Sequence, residues 1–523
     1  MTSLTLQPHK KKLSAKWVWA IILFTWIVKS IVAYGTELSN DEVYYVQYAF
    51  YPDWNYFDHP PLVGLCIRFS TLGMMLKQEW FIRLSGLIFS LANMYLIFKT
   101  TALLKNKNAG YLAALLYNSS IYANVITGLL ILPDTPMLFF WLLSLYYAVK
   151  IFASEKGYAI PKKNFFLLSI SIGLCMLSKI HGLLIWGCLG FYILFFDRRW
   201  LRVKLIYVSF FLSLIFLAPI VGWNIANHFM TFQYHGGRVS EHGFHLQTDS
   251  FFREIFGGFA YQNPINYVLY VIAVVACIRG GIRLNQRKKI FLLCMSLPVI
   301  ALFLGLSLFM DTLPHWNGPG FCALIILTAI YLTDKLLNNH FFIPKSVMAA
   351  NGLVVFGLIV AFILVRFAPV NLGNKDEKKL GENDFTLDMM GWKKFGNDFK
   401  QLALRDSSTH VTNGPVTVIS NKWFPASHLD LYVARPNNYN FLAIGEVHEI
   451  HQFYFINQTK PALQKGNDAY YITTTNFFND PLPIYKDKFE SIDEPVKIPQ
   501  YKSGKLMRYF LVYRCRGAKS NLP

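Results

Sequence analysis

Long apolar runs alternate with short polar segments along residues 1–369 of the chain. An apolar run of about 18 residues or more is long enough to cross a bilayer as a helix. By this measure the pattern predicts roughly eleven membrane-spanning helices, so the chain is expected to be a polytopic α-helical membrane protein. The predicted spans cover residues 17–35, 80–99, 109–127, 134–152, 164–178, 182–197, 203–222, 264–279, 290–309, 318–334 and 346–367.

The pattern changes after residue 369. Residues 370–523 contain no apolar run of spanning length. Strand-like segments such as Val416–Ser420 and Arg508–Tyr513 accompany one helix-like segment, Gly391–Leu404. This part of the chain is therefore expected to form a small soluble α/β domain.

Three other segments lie outside the predicted spans. Residues 1–16 form a basic tail, and long loops cover residues 36–79 and 223–263. In the first loop, apolar residues recur at helical spacing from Pro61 to Met75, which predicts an amphipathic helix lying along the membrane surface.

The formal net charge of +20 belongs mostly to the membrane region. Residues 370–523 hold 20 Lys and Arg against 16 Asp and Glu, so a charge of +16 remains for residues 1–369. Those basic residues are concentrated in alternate loops, which is typical of loops on the cytosolic side. The charge therefore indicates membrane topology, and we do not expect a nucleic-acid partner. The N-terminus is predicted to be cytosolic and, with an odd number of spans, residues 370–523 are predicted to lie outside the cytosol.

Ionisable residues follow the first span closely. Charged groups so near to hydrocarbon are costly, and they persist where they pair, meet water or take part in chemistry. On the predicted topology, polar residues from several separate loops lie at this same outer face, as a catalytic cavity at the membrane interface requires. The candidate site residues are Asp41, Glu42, Asp58, His59, Asp134, Lys179, His181, Arg238 and His315.

Each candidate also has a structural interpretation. Asp41 can cap a helix, Asp134 between two prolines can open the fourth span, and Lys179 can extend its ammonium from a span end toward water. Each histidine taken alone is more often structural than catalytic. No HExxH or CxxC spacing indicates a metal site, so a divalent metal is possible but not predicted.

Group transfer from a lipid-linked donor would use this set of residues. Outside the cytosol a sugar donor must come attached to a lipid phosphate, because nucleotide-activated donors are not normally available there. The reaction needs a carboxylate base for the acceptor hydroxyl, cations for the departing phosphate and an apolar groove for the lipid. Asp41 or Glu42 would supply the base, Lys179 and Arg238 the cations, and the spans the groove.

An ordered set of short motifs resembles the membrane glycosyltransferases of the GT-C fold. More narrowly, the chain resembles the bacterial branch akin to the protein O-mannosyltransferases and the lipid A aminoarabinose transferases. The likeness covers about residues 17–370, and Gly391-Trp392 resembles the start of the outer domain in that branch. The motifs are Asp41-Glu42, Tyr56–Leu62, Leu132–Pro136, Leu177–Lys179, Trp223-Asn224 and Pro314–Trp316.

This resemblance implies an inverting transfer of a sugar from a polyprenyl phosphate to an acceptor outside the bacterial inner membrane. The acceptor would be lipid A, a cell-surface glycan or a protein. Asp41 would be the catalytic base with Glu42 beside it, and Asp134 the second carboxylate near the donor. Lys179 and Arg238 would approach the phosphate. The chain departs from the aminoarabinose branch at Asp58-His59-Pro60, where that branch has Glu-Lys-Pro. A phosphate-binding lysine is therefore not available there, and either His59 substitutes for it or the donor differs.

A transporter or flippase for lipid-linked glycans is the alternative function. Transporters commonly show internal repeats and charges buried in mid-span, whereas here the predicted spans carry few charges and the polar residues cluster at their outer ends. A non-catalytic scaffold that displays residues 370–523 would not explain the carboxylates of the first outer loop.

The loop charges make a direct prediction about topology. A fluorescent reporter that matures only in the cytosol should be silent when fused after Pro523 and bright when fused after Lys335, which lies in a predicted cytosolic loop. A bright signal from the Pro523 fusion would overturn the orientation and, with it, the shared outer site.

Overall fold

The computed structural model describes residues 15–154, 160–240, 246–335 and 342–523. Nearly all of the predicted basic tail, residues 1–16, lies outside the described residues. The described chain forms a helical membrane region followed by a C-terminal domain built on a mixed sheet.

Seventeen α-helices make up the described membrane region, joined by short 3₁₀ and π segments. They are α1 (Ala15–Gly35), α2 (Asn40–Phe50), α3 (Leu62–Ser70), α4 (Glu79–Leu104), α5 (Lys107–Asn118), α6 (Asp134–Phe152), α7 (Lys162–Ser178), α8 (Leu184–Phe196), α9 (Lys204–Leu214), α10 (Ala218–Ala226), α11 (Met230–Ser240), α12 (Thr248–Tyr261), α13 (Pro264–Ile278), α14 (Gln286–Cys294), α15 (Leu297–Leu306), α16 (Phe321–Asp334) and α17 (Lys345–Arg366).

Every predicted span falls on helical structure, but the predicted count of eleven is not confirmed. Six helical stretches in the described chain are both long and apolar enough to cross a membrane, or seven if α12 and α13, which meet at a 100° bend, form one span. The difference has a physical reason, because several apolar runs form helices too short to span alone. Helix α5, for example, ends at Asn118 and is buried along most of its length by its neighbours.

A lysine lies buried inside the membrane region. The Nζ of Lys29 in α1 donates to Ser90 Oγ of α4 at 2.5 Å and to the Gly128 carbonyl oxygen at 3.4 Å. These bonds satisfy an otherwise costly group, and they tie α1 and α4 to the segment that leads into α6.

The first outer loop folds into two helices that pack on each other. The amphipathic helix predicted between Pro61 and Met75 is present as α3. A Cβ at Gly64 of α3 would lie 2.6 Å from the Cβ of Tyr48 in α2. A glycine is therefore required for this close approach, which fixes α3 against α2.

A buried ion pair holds the start of α2 in place. Glu42, in the first turn of α2, accepts hydrogen bonds from Arg83 Nε at 2.8 Å and Nη2 at 2.7 Å, and both side chains are fully buried. Its oxygens also accept from the backbone N–H of Ser39 at 2.9 Å and of Ile131 at 3.1 Å. Because Arg83 also donates to backbone carbonyls at the end of α1, this one carboxylate joins α2 to α1, α4 and the segment before α6.

The C-terminal domain is α/β, as the sequence pattern predicts. Its six-stranded sheet has the order β2-β1-β3-β6-β4, with β5 also paired to β6; β1 is parallel to β2 and β3, and β6 is antiparallel to its partners. The elements are α18 (Trp392–Ser408), β1 (Thr417–Ser420), α19 (Trp423–His428), β2 (Asn440–Ala443), α20 (Val447–Ile450), α21 (Phe453–Asn457), β3 (Ala469–Thr474), α22 (Leu482–Tyr485), β4 (Phe489–Ile492), β5 (Val496–Lys502) and β6 (Lys505–Ala518).

Carboxylates of the membrane region anchor this domain. Glu37 accepts from the backbone N–H groups of Trp392 and Lys393 at the start of α18, at 2.8 and 3.1 Å. Glu79 accepts from Lys393 Nζ at 2.7 Å and from the Tyr432 hydroxyl at 3.1 Å. These contacts fix the domain to the segment just before α2 and to the start of α4.

The Glu42–Arg83 pair predicts a stability defect that is independent of any activity. Replacing one partner of a buried ion pair leaves the other charge uncompensated and typically costs about 3–5 kcal/mol. We therefore expect Glu42→Gln to lower the thermal midpoint of the detergent-purified protein markedly. Asp398→Asn, which removes one partner of an exposed i,i+4 pair with Lys394, should leave the midpoint nearly unchanged. Equal midpoints for both variants would contradict the structural role given to Glu42.

Candidate active site

A cavity of about 660 Å³ lies where the membrane region meets the C-terminal domain. The membrane region supplies most of its walls, through α2, the segment before α3, the start of α6, the junction of α7 and α8, α11 and the loop before α16. The C-terminal domain closes the cavity with α19 and the residue after α20. Seven of the nine candidate residues line it: Asp41, Asp58, His59, Asp134, Lys179, His181 and His315.

Asp41 is the carboxylate that faces the open cavity. It lies in the first turn of α2, and its side chain is exposed because it points into the cavity. Among the described side chains, none donates it a hydrogen bond. Burial by the protein around the cavity, together with the negative charges of Asp58 and Glu42, raises the pKa of Asp41 to about 6. The group is therefore accessible, ionised at neutral pH and more basic than an ordinary aspartate, which are the properties of a general base.

Asp58 is fixed by two tyrosines of α2. Its Oδ1 accepts from the Tyr44 hydroxyl at 2.8 Å and from the Tyr48 hydroxyl at 2.5 Å. Burial alone would raise the pKa of Asp58, but His59, His451 and the two hydroxyl groups hold it below its ordinary value. Asp58 therefore remains a fixed negative charge beside Asp41 and is a weaker proton acceptor.

Lys179 and Asp134 form a buried ion pair in the cavity wall. Lys179 Nζ lies 2.9 Å from Asp134 Oδ2 and 3.1 Å from Oδ1, and it approaches the ring of Trp316 at 5.9 Å. Helix α6 begins at Asp134 and α7 ends just before Lys179, so the pair joins two helices. Lys179 is thus paired inside the protein rather than extended toward bulk water.

The cavity histidines are neutral or unpartnered. Burial lowers the pKa of both His59 and His315 to about 4, so neither is a cation at neutral pH. The His181 ring stacks on Phe303 at 5.2 Å, and neither of its nitrogens has a hydrogen-bond partner among the described residues. These rings can donate or accept hydrogen bonds. The positive charge in the wall of the described cavity comes from Lys179.

Of the two remaining candidates, Glu42 lies outside this group. Its oxygens accept hydrogen bonds from Arg83, Ser39 and Ile131 as described above, and these bonds hold the start of α2 in place. Arg238 lies in α11, but its side chain falls outside the described part of the structure.

The C-terminal domain contributes residues that the sequence did not identify. The ring of His451 stacks between Phe57 at 4.9 Å and Trp423 at 5.7 Å, and both His451 and Trp423 line the cavity. His451 has φ 50° and ψ −127°, a backbone conformation that costs energy for a residue with a Cβ and is often found at functional sites. Tyr45, Asn55 and their neighbours also line the cavity, and no local sequence signal distinguished them from packing residues.

No three His, Cys, Asp or Glu side chains in the described ranges come together as a metal site needs. The rings of His59 and His235 lie 6.3 Å apart between centroids, and the Nε2 of His235 lies 2.9 Å from the Asp58 carbonyl oxygen.

Comparisons with known proteins confirm the resemblance to GT-C glycosyltransferases. A family model described as dolichyl-phosphate-mannose-protein mannosyltransferase matches residues 58–223, which is about a third of the chain. No curated protein sequence matches.

Two solved structures of ArnT from Cupriavidus metallidurans share the fold over nearly the whole length. The apo structure covers 95% of this chain and 98% of that protein with a TM-score of 0.62. The structure with bound undecaprenyl phosphate covers 96% and 98% with the same TM-score. Identity is 13% in both cases, so these matches establish a common fold.

The raised pKa of Asp41 makes a prediction about stability. A carboxylate whose pKa is higher in the folded state than in the unfolded state weakens folding once the pH rises above its unfolded value, and the full penalty is present above about pH 6. Asp41→Asn should therefore raise the thermal midpoint at pH 8 relative to the wild type, and this difference should vanish at pH 3.5, where both proteins carry a neutral group. A variant that is less stable than the wild type at pH 8 would contradict the placement of Asp41.

Proposed function

We propose that this protein is an inverting glycosyltransferase that moves a sugar from a polyprenyl-phosphate donor to an acceptor outside the cytosol. The proposal rests on the cavity itself. An accessible carboxylate without a hydrogen-bond donor among the described side chains, Asp41, and a buried cation, Lys179, line the same cavity. Base and cation are the two groups that displacement of a phosphate by a hydroxyl requires. The shared fold with a protein whose structure holds undecaprenyl phosphate supports the choice of donor class.

The reaction is a single displacement. The Asp41 carboxylate takes the proton of an acceptor hydroxyl as that oxygen attacks the anomeric carbon. The bond between the anomeric carbon and the phosphate oxygen breaks, and its electron pair leaves with the lipid phosphate. The configuration at the sugar is inverted, and the proton remains on Asp41 until it exchanges with water.

Lys179 stabilises the departing phosphate. Its ammonium group has three N–H donors, and Asp134 oxygens accept two hydrogen bonds from it, which leaves one donor for a ligand. Asp134 fixes the ammonium group in the cavity wall. The neutral ring of His59 and the hydroxyl of Tyr45 supply further hydrogen bonds without adding charge.

The proposed orientation follows from the loop charges. The protein would lie in the bacterial inner membrane with its N-terminus in the cytosol and its cavity and C-terminal domain in the periplasm. Lipid A, a surface glycan or a protein would be the acceptor.

Mass analysis of the cell envelope tests the function. Cells that make the wild-type chain should contain a glycolipid, glycan or glycoprotein that is heavier by one sugar than its counterpart in cells lacking the chain. If the lipid-linked sugar changes sides of the membrane and no such product appears, the flippase alternative would replace this proposal.

The role of Lys179 is tested by a donor titration with purified protein. Lys179→Met should raise the apparent KM for the lipid-phosphate donor or lower the maximal rate by about tenfold or more, because charge-assisted hydrogen bonds to phosphate are roughly twice as strong as neutral ones. Lys394→Met, at an exposed lysine, is the control for loss of charge.

A double variant separates catalysis from folding. Lys179→Met alone leaves Asp134 buried and unpaired, which itself destabilises the protein. The variant Asp134→Asn/Lys179→Met removes both charges and should recover stability. If it also recovers normal use of the donor, Lys179 does not act on the phosphate.

A further inference from the structure

A second cavity, larger than the first, lies entirely within the C-terminal domain. It is open to solvent and has a volume of about 910 Å³. One wall is the segment from Glu377 to Asp388, and the other is the segment from Thr475 to Phe478. We call this cavity the outer groove. Nothing in the displacement mechanism uses it.

The alternation of side chains along β6 creates the floor of the groove. Successive residues of a strand point to opposite faces of the sheet. Phe510 is buried against Trp392 and Phe395 of α18, with ring centroids 5.2 and 3.8 Å away. Tyr509, Leu511 and Tyr513 lie on the other face and line the groove. Helix α18 covers the first face, while this part of the second face is covered only by loops.

The rim of the groove exposes aromatic side chains. Phe385 is 61% exposed, Phe477 40% and Phe478 50%. Clustered exposed aromatic groups rimmed by polar residues mark interaction sites more often than inert surface. Here the polar groups include the carboxylates of Glu382 and Asp388.

This mixture of groups suits a saccharide. The flat C–H faces of a sugar ring pack on aromatic rings, and its hydroxyl groups donate to carboxylates and accept from N–H and O–H groups. Ligand sites typically combine such apolar walls with a few polar groups that fix orientation. Three lysines, Lys378, Lys379 and Lys497, also line the groove; Lys497 is paired with Glu377 at 2.9 Å and Lys379 with Glu382 at 4.0 Å.

The groove also adjoins the proposed catalytic residue. Asp388, at one end of the groove, lies beside the side chain of Asn40, whose next neighbour in the chain is Asp41. His428 Nε2 is 3.1 Å from Asn40 Oδ1, and Phe424 packs both on His428 and, at 4.6 Å, on Phe477 of the groove. A single layer of side chains therefore separates the outer groove from the start of α2.

We propose that the outer groove is a saccharide-binding subsite that holds sugar units of the acceptor next to the start of α2. The identification of the saccharide as the acceptor rests on the proposed transferase function; the binding of a saccharide does not. The groove selects the acceptor and leaves the donor site unchanged.

Direct binding tests the proposal. The full chain is placed in lipid nanodiscs and probed by saturation-transfer NMR with three soluble oligosaccharides: mannotetraose, N-acetylchitotetraose and galactotetraose. At least one should receive saturation from the protein. The variant Phe385→Ala/Phe478→Ala, which removes one exposed ring from each wall, should weaken that binding by roughly tenfold or more, since it deletes two aromatic contacts.

A matched double variant serves as the control. Leu404 and Leu482 are 52% and 53% exposed in the same domain and do not line the groove, so Leu404→Ala/Leu482→Ala should bind like the wild type. Binding of none of the three oligosaccharides, or equal binding by the groove variant and the wild type, overturns the proposal.

The same measurement in an Asp41→Asn background separates the two proposals. If the groove assignment is correct, the oligosaccharide still binds when transfer is blocked. If binding persists but no sugar is ever transferred by the wild type, the transferase function fails and the saccharide site stands. If transfer proceeds normally and the groove variant leaves the acceptor KM unchanged, the groove assignment fails and the transferase function stands.

Discussion

The position of Asp41 depends on the buried ion pair between its neighbour Glu42 and Arg83. This pair brings the start of α2 against α1, α4 and the backbone before α6. Adjacent residues on a helix point about 100° apart. Glu42 can therefore point into packed protein while Asp41 points into the cavity, and a structural carboxylate holds a reactive one in place.

The candidate site belongs to both parts of the chain. The membrane region supplies the carboxylates and the cation, and the C-terminal domain closes the cavity with Trp423 and His451. Anchoring of that domain through Glu37 and Glu79 therefore matters for the site, because it holds Trp423 and His451 in the cavity wall. The same seating places the outer groove next to the start of α2, which allows one domain to enclose the reaction and to present the acceptor.

The sequence predicted much of this arrangement because motifs and loop charges are local signals. Asp41, Asp58 and Lys179 were placed at one face by topology alone, and the structure brings them to one cavity. The pairing of Glu42 could not be foreseen from the sequence, because its partner Arg83 is 41 residues away and no pattern links them. Trp423 and His451 were missed since their role arises only from docking of a distant domain. The predicted number of eleven spans is not confirmed, because hydropathy does not distinguish a short buried helix from one that crosses the membrane.

The most direct test of this account is the single-turnover rate of sugar transfer by Asp41→Asn, with Asp398→Asn as a control at an exposed carboxylate. General-base catalysis contributes about 10²–10⁴-fold, so the Asp41 variant should lose at least that much rate while it remains folded and still binds the lipid-phosphate donor. A rate close to that of the wild type would contradict the assignment of Asp41 as the base.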